Sequence, residues 1–256
     1  MEAFMHHQHV GILGGMGPAA GLYFAQQLIA LNALARTDAD HVPFILYSNP
    51  QIPSRVDSFL KQTVSPVPQL ITSLHKLKQL GADFGVIVCN TAHIHFDEIA
   101  DNVPLPLINM VDTVAAHAGA LGLGGQKVGL LATTATVKSG LYARYFERMG
   151  IELVVPPDED QMLVSSAIFG TESGIKATGL TPTETARRSL AAVADGLRRR
   201  SGVRHLILGC TELSFTIPTA VWENFQIIDP VTVLARTCLA RTRASAPRMH
   251  AMMECA

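Results

Sequence analysis

The sequence predicts an α/β protein of two pseudo-duplicated lobes, each built on a mainly parallel sheet, with the functional cleft between them. Three observations carry that expectation. Short apolar runs alternate with longer amphipathic ones along the whole chain, the order that lays helices on both faces of a parallel sheet. The second half replays segments of the first in the same order. Each half also ends an apolar run on a cysteine, in "VIVCNTAHI" (Val86 to Ile94) and in "LILGCTELS" (Leu206 to Ser214).

Taken in order, "HVGILGG" reads as a strand and turn, and "PAAGLYFAQQLIALNALA" as a helix with Pro18 in its first turn. "PFILYSN" is a strand. "PVPQLITSLHKLKQLG" is a helix with Leu70, Leu74 and Leu77 on one face and Gly81 as its stop. "FGVIVC" is short, continuous and β-branched, hence a strand. In the second half "VGLLAT" from Val128 answers "VGILGG" from Val10, and "LILGCTEL" answers "VIVCNTAH". "QIIDPVTVL" from Gln226 answers "PLINMVDTV" from Pro106. Gly11 and Cys89 are 78 positions apart, Gly129 and Cys210 81, a spacing close enough for a diverged duplication. The glycine-rich "GALGLGGQK", Gly119 to Lys127, is the expected hinge. The third matching pair places a return to the first lobe after about Trp222. The expected division is therefore 1–115 with 223–256 as the first lobe and 116–222 as the second.

Composition narrows the function classes. Hydrophobic residues make up 48% and charged residues 16% of the 256, which suits a well-buried core rather than a disordered chain. A formal net charge of −1 provides no field to recruit nucleic acid or an anionic membrane. No apolar span approaches the roughly 20 residues that cross a bilayer. "MEAFMHHQHV" has neither the basic nor the apolar region of a signal peptide. Four cysteines without a CxxC pair point to reduced thiols and a cytoplasmic protein.

In an open parallel sheet, ligands bind outside the carboxyl ends of the strands, where Cys89 and Cys210 fall. Asn90, Thr91 and Thr211 follow them as candidate N-caps, and the free N–H groups of a helix start favour a thiolate. Two lobes related by a pseudo-twofold would face the thiols across one cleft. One thiolate and one thiol can then remove a proton from one face of a carbon and return one to the other, which is racemisation without a cofactor. Cys238, on an apparent helix, and Cys255, in the tail, lack this context and read as structural or incidental.

The sequence resembles the aspartate/glutamate racemase family, in its aspartate racemase-like branch. The resemblance rests on "GILGGMGP" (Gly11 to Pro18), "NPQIPSR" (Asn49 to Arg55), "GADFGVIVCNTAH" (Gly81 to His93), "VGLLAT" (Val128 to Thr133) and "LGCTEL" (Leu208 to Leu213), in order over about four-fifths of the chain. It implies two Rossmann-like lobes, pyridoxal-phosphate-independent racemisation of an acidic amino acid, and a homodimer. Cys89 and Cys210 match the family's two catalytic cysteines. "GCTE" rather than "GCTH" favours the aspartate-like branch.

Other site residues follow from chemistry and resemblance together. Charge developing on the α-carboxylate needs fixed donors, and "CNT" and "CTE" supply Asn90, Thr91, Thr211 and Glu212 as substrate-binding candidates. Thr133 and Thr134 match polar residues of the family opposite the first cysteine loop. Met16 lies in the glycine-rich turn, where the backbone can approach a ligand. Arg55 matches the residue holding the distal carboxylate, a task suited to a guanidinium, and Lys176 matches a lysine with the same role. His6, His7 and His9 read as an unstructured arm. His93 and His95 belong on the helix after Cys89, pointing apart. Neither metal nor cofactor is expected. The rival readings are a maleate isomerase-like or hydantoin racemase-like enzyme, an arylmalonate decarboxylase, which the second cysteine argues against, and a non-catalytic amino-acid-binding protein.

Overall fold

A computed structural model describes residues 8–215 and 223–245. The chain runs β1 (Val10–Gly14), α1 (Pro18–Ala30), β2 (Phe44–Ser48), α2 (Arg55–Lys61), α3 (Val67–Gln79), β3 (Phe84–Ile87), α4 (Phe96–Asp101), β4 (Leu107–Ile108) and α5 (Met110–Ala120). It continues through β5 (Lys127–Ala132), α6 (Thr134–Lys138), α7 (Ala143–Phe146), β6 (Glu152–Val154), α8 (Asp158–Phe169), α9 (Ile175–Thr178) and α10 (Glu184–Ser201), then β7 (His205–Gly209), β8 (Gln226–Ile228) and α11 (Pro230–Ser245). The strands form two four-stranded parallel sheets of identical topology, β2-β1-β3-β4 and β6-β5-β7-β8.

The period-2 alternation of a buried strand divides each sheet between two helical layers. Val10 and Ile12 of β1 pack with Phe24 and Leu28 of α1, while Leu13 points the other way toward Leu70, Leu74 and Leu77 of α3. Those three leucines, the expected inner face of α3, are fully buried, each contributing about 1.5–3 kcal/mol of apolar transfer. Gly81 follows α3 with φ +98, the left-handed conformation that ends the helix. In the second lobe Leu131, Leu206 and Leu208 face α8 and α10, while Val128, Leu130 and Ile207 face α5 and α7.

The division between lobes differs from the expected one. Gln226–Ile228, assigned to the first lobe from sequence, pairs with β7 in the second sheet. The helices make the crossing instead. α5 follows β4 of the first sheet but buries Val111, Val114 and Ala118 against Val128 and Leu130. α11 follows β8 of the second sheet and buries Val231, Leu234 and Cys238 against Val10 and Phe24. Corresponding residues cap both crossing helices: Asn109 Oδ1 accepts from Val111 N and Asp112 N, and Asp229 accepts from Val231 N and Thr232 N. Cys238 is a core residue whose thiol burial pushes up to about 12. Cys255, His6 and His7 lie outside the described residues. His9 does not belong to a loose arm, since its N–H donates to Asp83 Oδ2 at 2.7 Å.

His93 ties the first cysteine loop to the crossing helix α5. Its Nδ1 lies 2.9 Å from the Cys89 carbonyl and its Nε2 accepts from Met110 N at 3.1 Å. Nδ1 therefore carries the proton and the ring is neutral. Burial pushes its pKa down to about 4, against the opposing effect of the backbone bonds at Cys89 and Asn90. Unfolded, the ring protonates near its ordinary 6.5. Between those values the unfolded chain binds the extra proton, so this stabilisation is complete above about pH 6.5 and is lost as pH falls toward 4. Denaturant unfolding should register a loss of about 3 kcal/mol across that window. His93→Asn should be less stable at pH 7 and should lack this part of the pH slope.

Candidate active site

The carboxyl ends of β1, β3, β5 and β7 open toward one another. Cys89 stands two residues beyond β3 and Cys210 directly after β7, so equivalent ends of two equivalent sheets deliver the two thiols. Both are buried and both line one cavity of about 30 Å³. Its wall includes Met16, Arg55, Asn90, Thr91, Thr133, Lys176, Thr211 and Glu212, all expected from sequence. Thr134 is the exception. Its hydroxyl bonds Ser165 Oγ at 2.8 Å, and it borders a separate groove between α2 and α8. Ser54, Val56 and Phe169 also line the cavity and were not expected. The first two flank Arg55, which is a usable signal. Phe169, at the end of α8, has none.

The segments after the cysteines are 3-10 turns, Thr91–His95 and Leu213–Phe215, rather than α-helices. Asn90 precedes the first turn but its side chain makes no capping bond. Instead, Asn90 Oδ1 accepts from the Tyr142 hydroxyl at 2.5 Å. Thr91 joins the second lobe through a ring of three hydroxyls, 3.1 Å from Thr133 Oγ1 and 3.0 Å from Thr136 Oγ1, which are 3.0 Å from each other. Thr136, three residues after Thr133, completes the ring without lining the cavity.

Glu212 organises the opposite wall. Its Oε1 accepts from Gly17 N at 2.6 Å and from Lys176 Nζ at 2.5 Å. Its Oε2 accepts from Cys210 Sγ at 3.1 Å and Thr211 Oγ1 at 3.2 Å. Burial by itself would raise the Glu212 carboxyl, but the Lys176 ammonium and these donors more than offset it and hold the pKa below its ordinary value. Lys176 mirrors this: burial opposes its charge, yet Glu212 and the nearby thiols raise its pKa. The pair is ionised. Cys210 is pushed well above the ordinary thiol range, first by burial and then by the adjacent Glu212 charge, so it is held as a thiol.

Arg55 reaches the same wall from the first lobe. Its Nη1 donates to Ile52 O and Pro53 O and its Nη2 to Met16 O at 3.2 Å. Lys176 Nζ donates to the same Met16 carbonyl at 2.9 Å. Two cations, one from each lobe, thus converge on one backbone oxygen, and the buried Arg55 Nε keeps a hydrogen without an acceptor among the described residues. Met16, Arg55, Lys176 and Glu212 also form the partition to a neighbouring cavity of about 580 Å³.

Two buried cysteines on matching strand ends, between two lobes of this topology, coincide with a family match. Residues 13–238 match the model of the Asp/Glu/Hydantoin racemase family. The chain belongs to that family. It is 25% identical over 239 residues to the broad specificity amino-acid racemase RacX of Bacillus subtilis, covering 92% of this chain and 96% of that one. Among solved structures it is similar to the aspartate racemase of Picrophilus torridus, with a TM-score of 0.80 and 33% identity over 92% of this chain and 94% of that one. A glutamate racemase from Francisella tularensis shares the fold, with a TM-score of 0.68 at 17% identity, over 93% of this chain and 82% of that one. Membership supports amino-acid racemisation, an isomerase activity.

Glu212 and Lys176 form a buried pair whose partners depend on each other. Glu212→Gln should cost about 3 kcal/mol of unfolding free energy, because the Lys176 charge stays behind without its counter-ion. Adding Lys176→Met should recover much of that loss. Chemical denaturation of the two variants makes the comparison.

Proposed function

We propose that the protein racemises an acidic amino acid, aspartate or glutamate, without a cofactor, by moving the α-proton between Cys89 and Cys210. The observation that carries this reading is the single cavity lined by both thiols at equivalent strand ends of the two sheets. In one direction the Cys89 thiolate takes the α-proton and becomes a thiol. The electron pair left on the α-carbon is delocalised into the α-carboxylate. The Cys210 thiol then gives its proton to the opposite face and becomes a thiolate. The carbon is inverted and the cysteines have exchanged roles, which is the starting state for the reverse reaction.

The surroundings suit this chemistry. Cys210, held as a thiol beside Glu212, is a proton donor in the resting state. Lys176, with its raised pKa, is a cation for holding a carboxylate rather than a free amine for forming an imine. Arg55 and Lys176 put two cations on the wall against one carboxylate, Glu212, which pairs with Lys176, so the Arg55 guanidinium is suited to a carboxylate of the substrate. The similarity to the Picrophilus torridus aspartate racemase points the same way. A hydantoin ring, without a carboxylate, would offer Arg55 no anionic partner in the cavity, whereas Lys176 keeps Glu212.

Cys89→Ser and Cys210→Ser should each abolish net racemisation with the fold intact, since a hydroxyl is far too weak an acid to replace a thiolate near neutral pH. Each should still exchange the α-proton of one enantiomer with deuterium from solvent. Chiral chromatography and proton NMR in D₂O read the two effects, and substantial racemisation in both single variants would eliminate the two-thiol mechanism.

Arg55 tests the substrate class. Arg55→Leu should lower kcat/KM for aspartate or glutamate by roughly 30- to 1000-fold, about 2–4 kcal/mol for a lost charge-assisted contact. A neutral amino acid should lose much less. Equal losses would remove Arg55 from the distal-carboxylate role.

A further inference from the structure

The side chain of Asn90 is fixed in an orientation that nothing in its own segment explains. Asn90 is 2% exposed, lines the cavity beside both cysteines and makes no capping bond to the turn that follows it. Its Oδ1 is taken by the hydroxyl of Tyr142, from the other lobe, whereas its Nδ2 is buried without an acceptor among the described residues. Tyr142 is 1% exposed, packed beside Phe146, and joins the core cluster of α5 and β5.

A phenol between two such lobes can only donate while it keeps its proton. Burial, and after it the negative charge of Asp229, raise the Tyr142 pKa well above its ordinary value of 10. Tyr142 is thus a permanent donor through the neutral pH range. A side-chain amide has one acceptor end and one donor end. Occupying Oδ1 with a donor leaves Nδ2, with two N–H groups, as the end presented to a ligand. An unpaired buried amide costs free energy that a carboxylate oxygen in the cavity would recover.

From this geometry we infer that Tyr142 is a positioning residue: it locks the Asn90 amide with its NH₂ group toward the cavity, so that Asn90 serves as a donor to a substrate carboxylate and not as an acceptor for its ammonium group. The inference rests on the carboxylate-binding reading of the cavity proposed above, but it can be read from binding without turnover.

The experiment is calorimetric titration of wild type, Tyr142→Phe, Asn90→Ala and the double variant with L-aspartate and with succinate, which has two carboxylates and no ammonium. Tyr142→Phe should bind both ligands about tenfold more weakly, the order of one oriented hydrogen bond to a charged group. On the Asn90→Ala background the same change should alter affinity by less than about twofold, because there is no amide left to orient. Three results would overturn the inference: unchanged affinity in Tyr142→Phe, weakening for L-aspartate but not for succinate, or the same penalty with and without Asn90. Should Tyr142→Phe fail to fold, Asn90→Asp carries the test. It keeps the acceptor for Tyr142 but turns a carboxylate oxygen toward the cavity, and should reduce succinate binding by at least tenfold; undiminished binding would overturn the inference. Deuterium exchange at Cα by the wild type is scored separately. A protein that exchanges no α-proton yet gives the expected binding pattern retains the Tyr142 assignment and loses the racemase reading.

Discussion

The closed cleft depends on one buried carboxylate. Glu212 can stay ionised inside the protein only because four donors surround it, and they do not come from one lobe. Gly17 N–H belongs to the turn after β1 in the first, whereas Lys176, Cys210 and Thr211 belong to the second. Withdrawing the first lobe removes a 2.6 Å bond from Gly17 and the Met16 carbonyl that also holds Lys176. Charge satisfaction and closure are thereby the same event. The close approach has a steric counterpart at Gly17, where an added Cβ would lie 3.0 Å from Glu212 Oε1 and 3.7 Å from Lys176 Nζ. A side chain at that position would press on the ion pair itself.

The dimensions of the site follow from that closure. About 30 Å³ accommodates roughly two waters, less than any amino acid with a carboxylate side chain. Entry of the proposed substrate must move a wall, and one wall is only a partition to the cavity of about 580 Å³. That partition is made of Lys176 and Glu212 from one lobe and Met16 and Arg55 from the other. A carboxylate arriving there meets two cations already assembled on the Met16 carbonyl. It can exchange a backbone partner for a charged one at each of them, which offsets the cost of disturbing the closed form. Phe169, with the Lys176 ammonium 5.9 Å from its ring centre, borders both this site and the groove toward α2, and so limits the space on the remaining side.

The parts of this architecture legible in the sequence are those written locally. The leucine stripe of α3, the glycine stop after it and the two strand-end cysteines are each fixed by residues within a few positions, and all stand where the pattern placed them. The repeat of "PLINMVDTV" in "QIIDPVTVL" is real, and the return to the first lobe that it implies holds for α11 and not for β8, for a physical reason. Each strand completes its own sheet through backbone bonds, and only the helix after it is exchanged between cores. Thr134 was misplaced because Thr133 Oγ1 accepts from Thr136 N and starts α6 there, turning Thr134 toward α8. Tyr142 and Phe169 have no local signal because an aromatic side chain by itself reads as core, and only the fold brings the Tyr142 hydroxyl to Asn90 and the Phe169 ring to the cavity.

The two halves are alike in backbone and unlike in chemistry. β3 and β7 deliver their cysteines identically, but Cys210 faces the Glu212 carboxylate, whereas the corresponding position after Cys89 is Thr91, in a ring of neutral hydroxyls. In the proposed reaction the enantiomers have equal free energy, so kcat/KM must be the same in both directions whatever the site looks like. The asymmetry can therefore act only on how that ratio divides between binding and turnover. Held as a thiol, Cys210 is set to give a proton and not to take one. In the proposed reaction the enantiomer presenting its α-hydrogen to Cys89 uses Cys210 in this form, and its mirror image needs Cys210 deprotonated. The matching sheets bring two thiols to equivalent strand ends, and the unlike loops give them unlike neighbours.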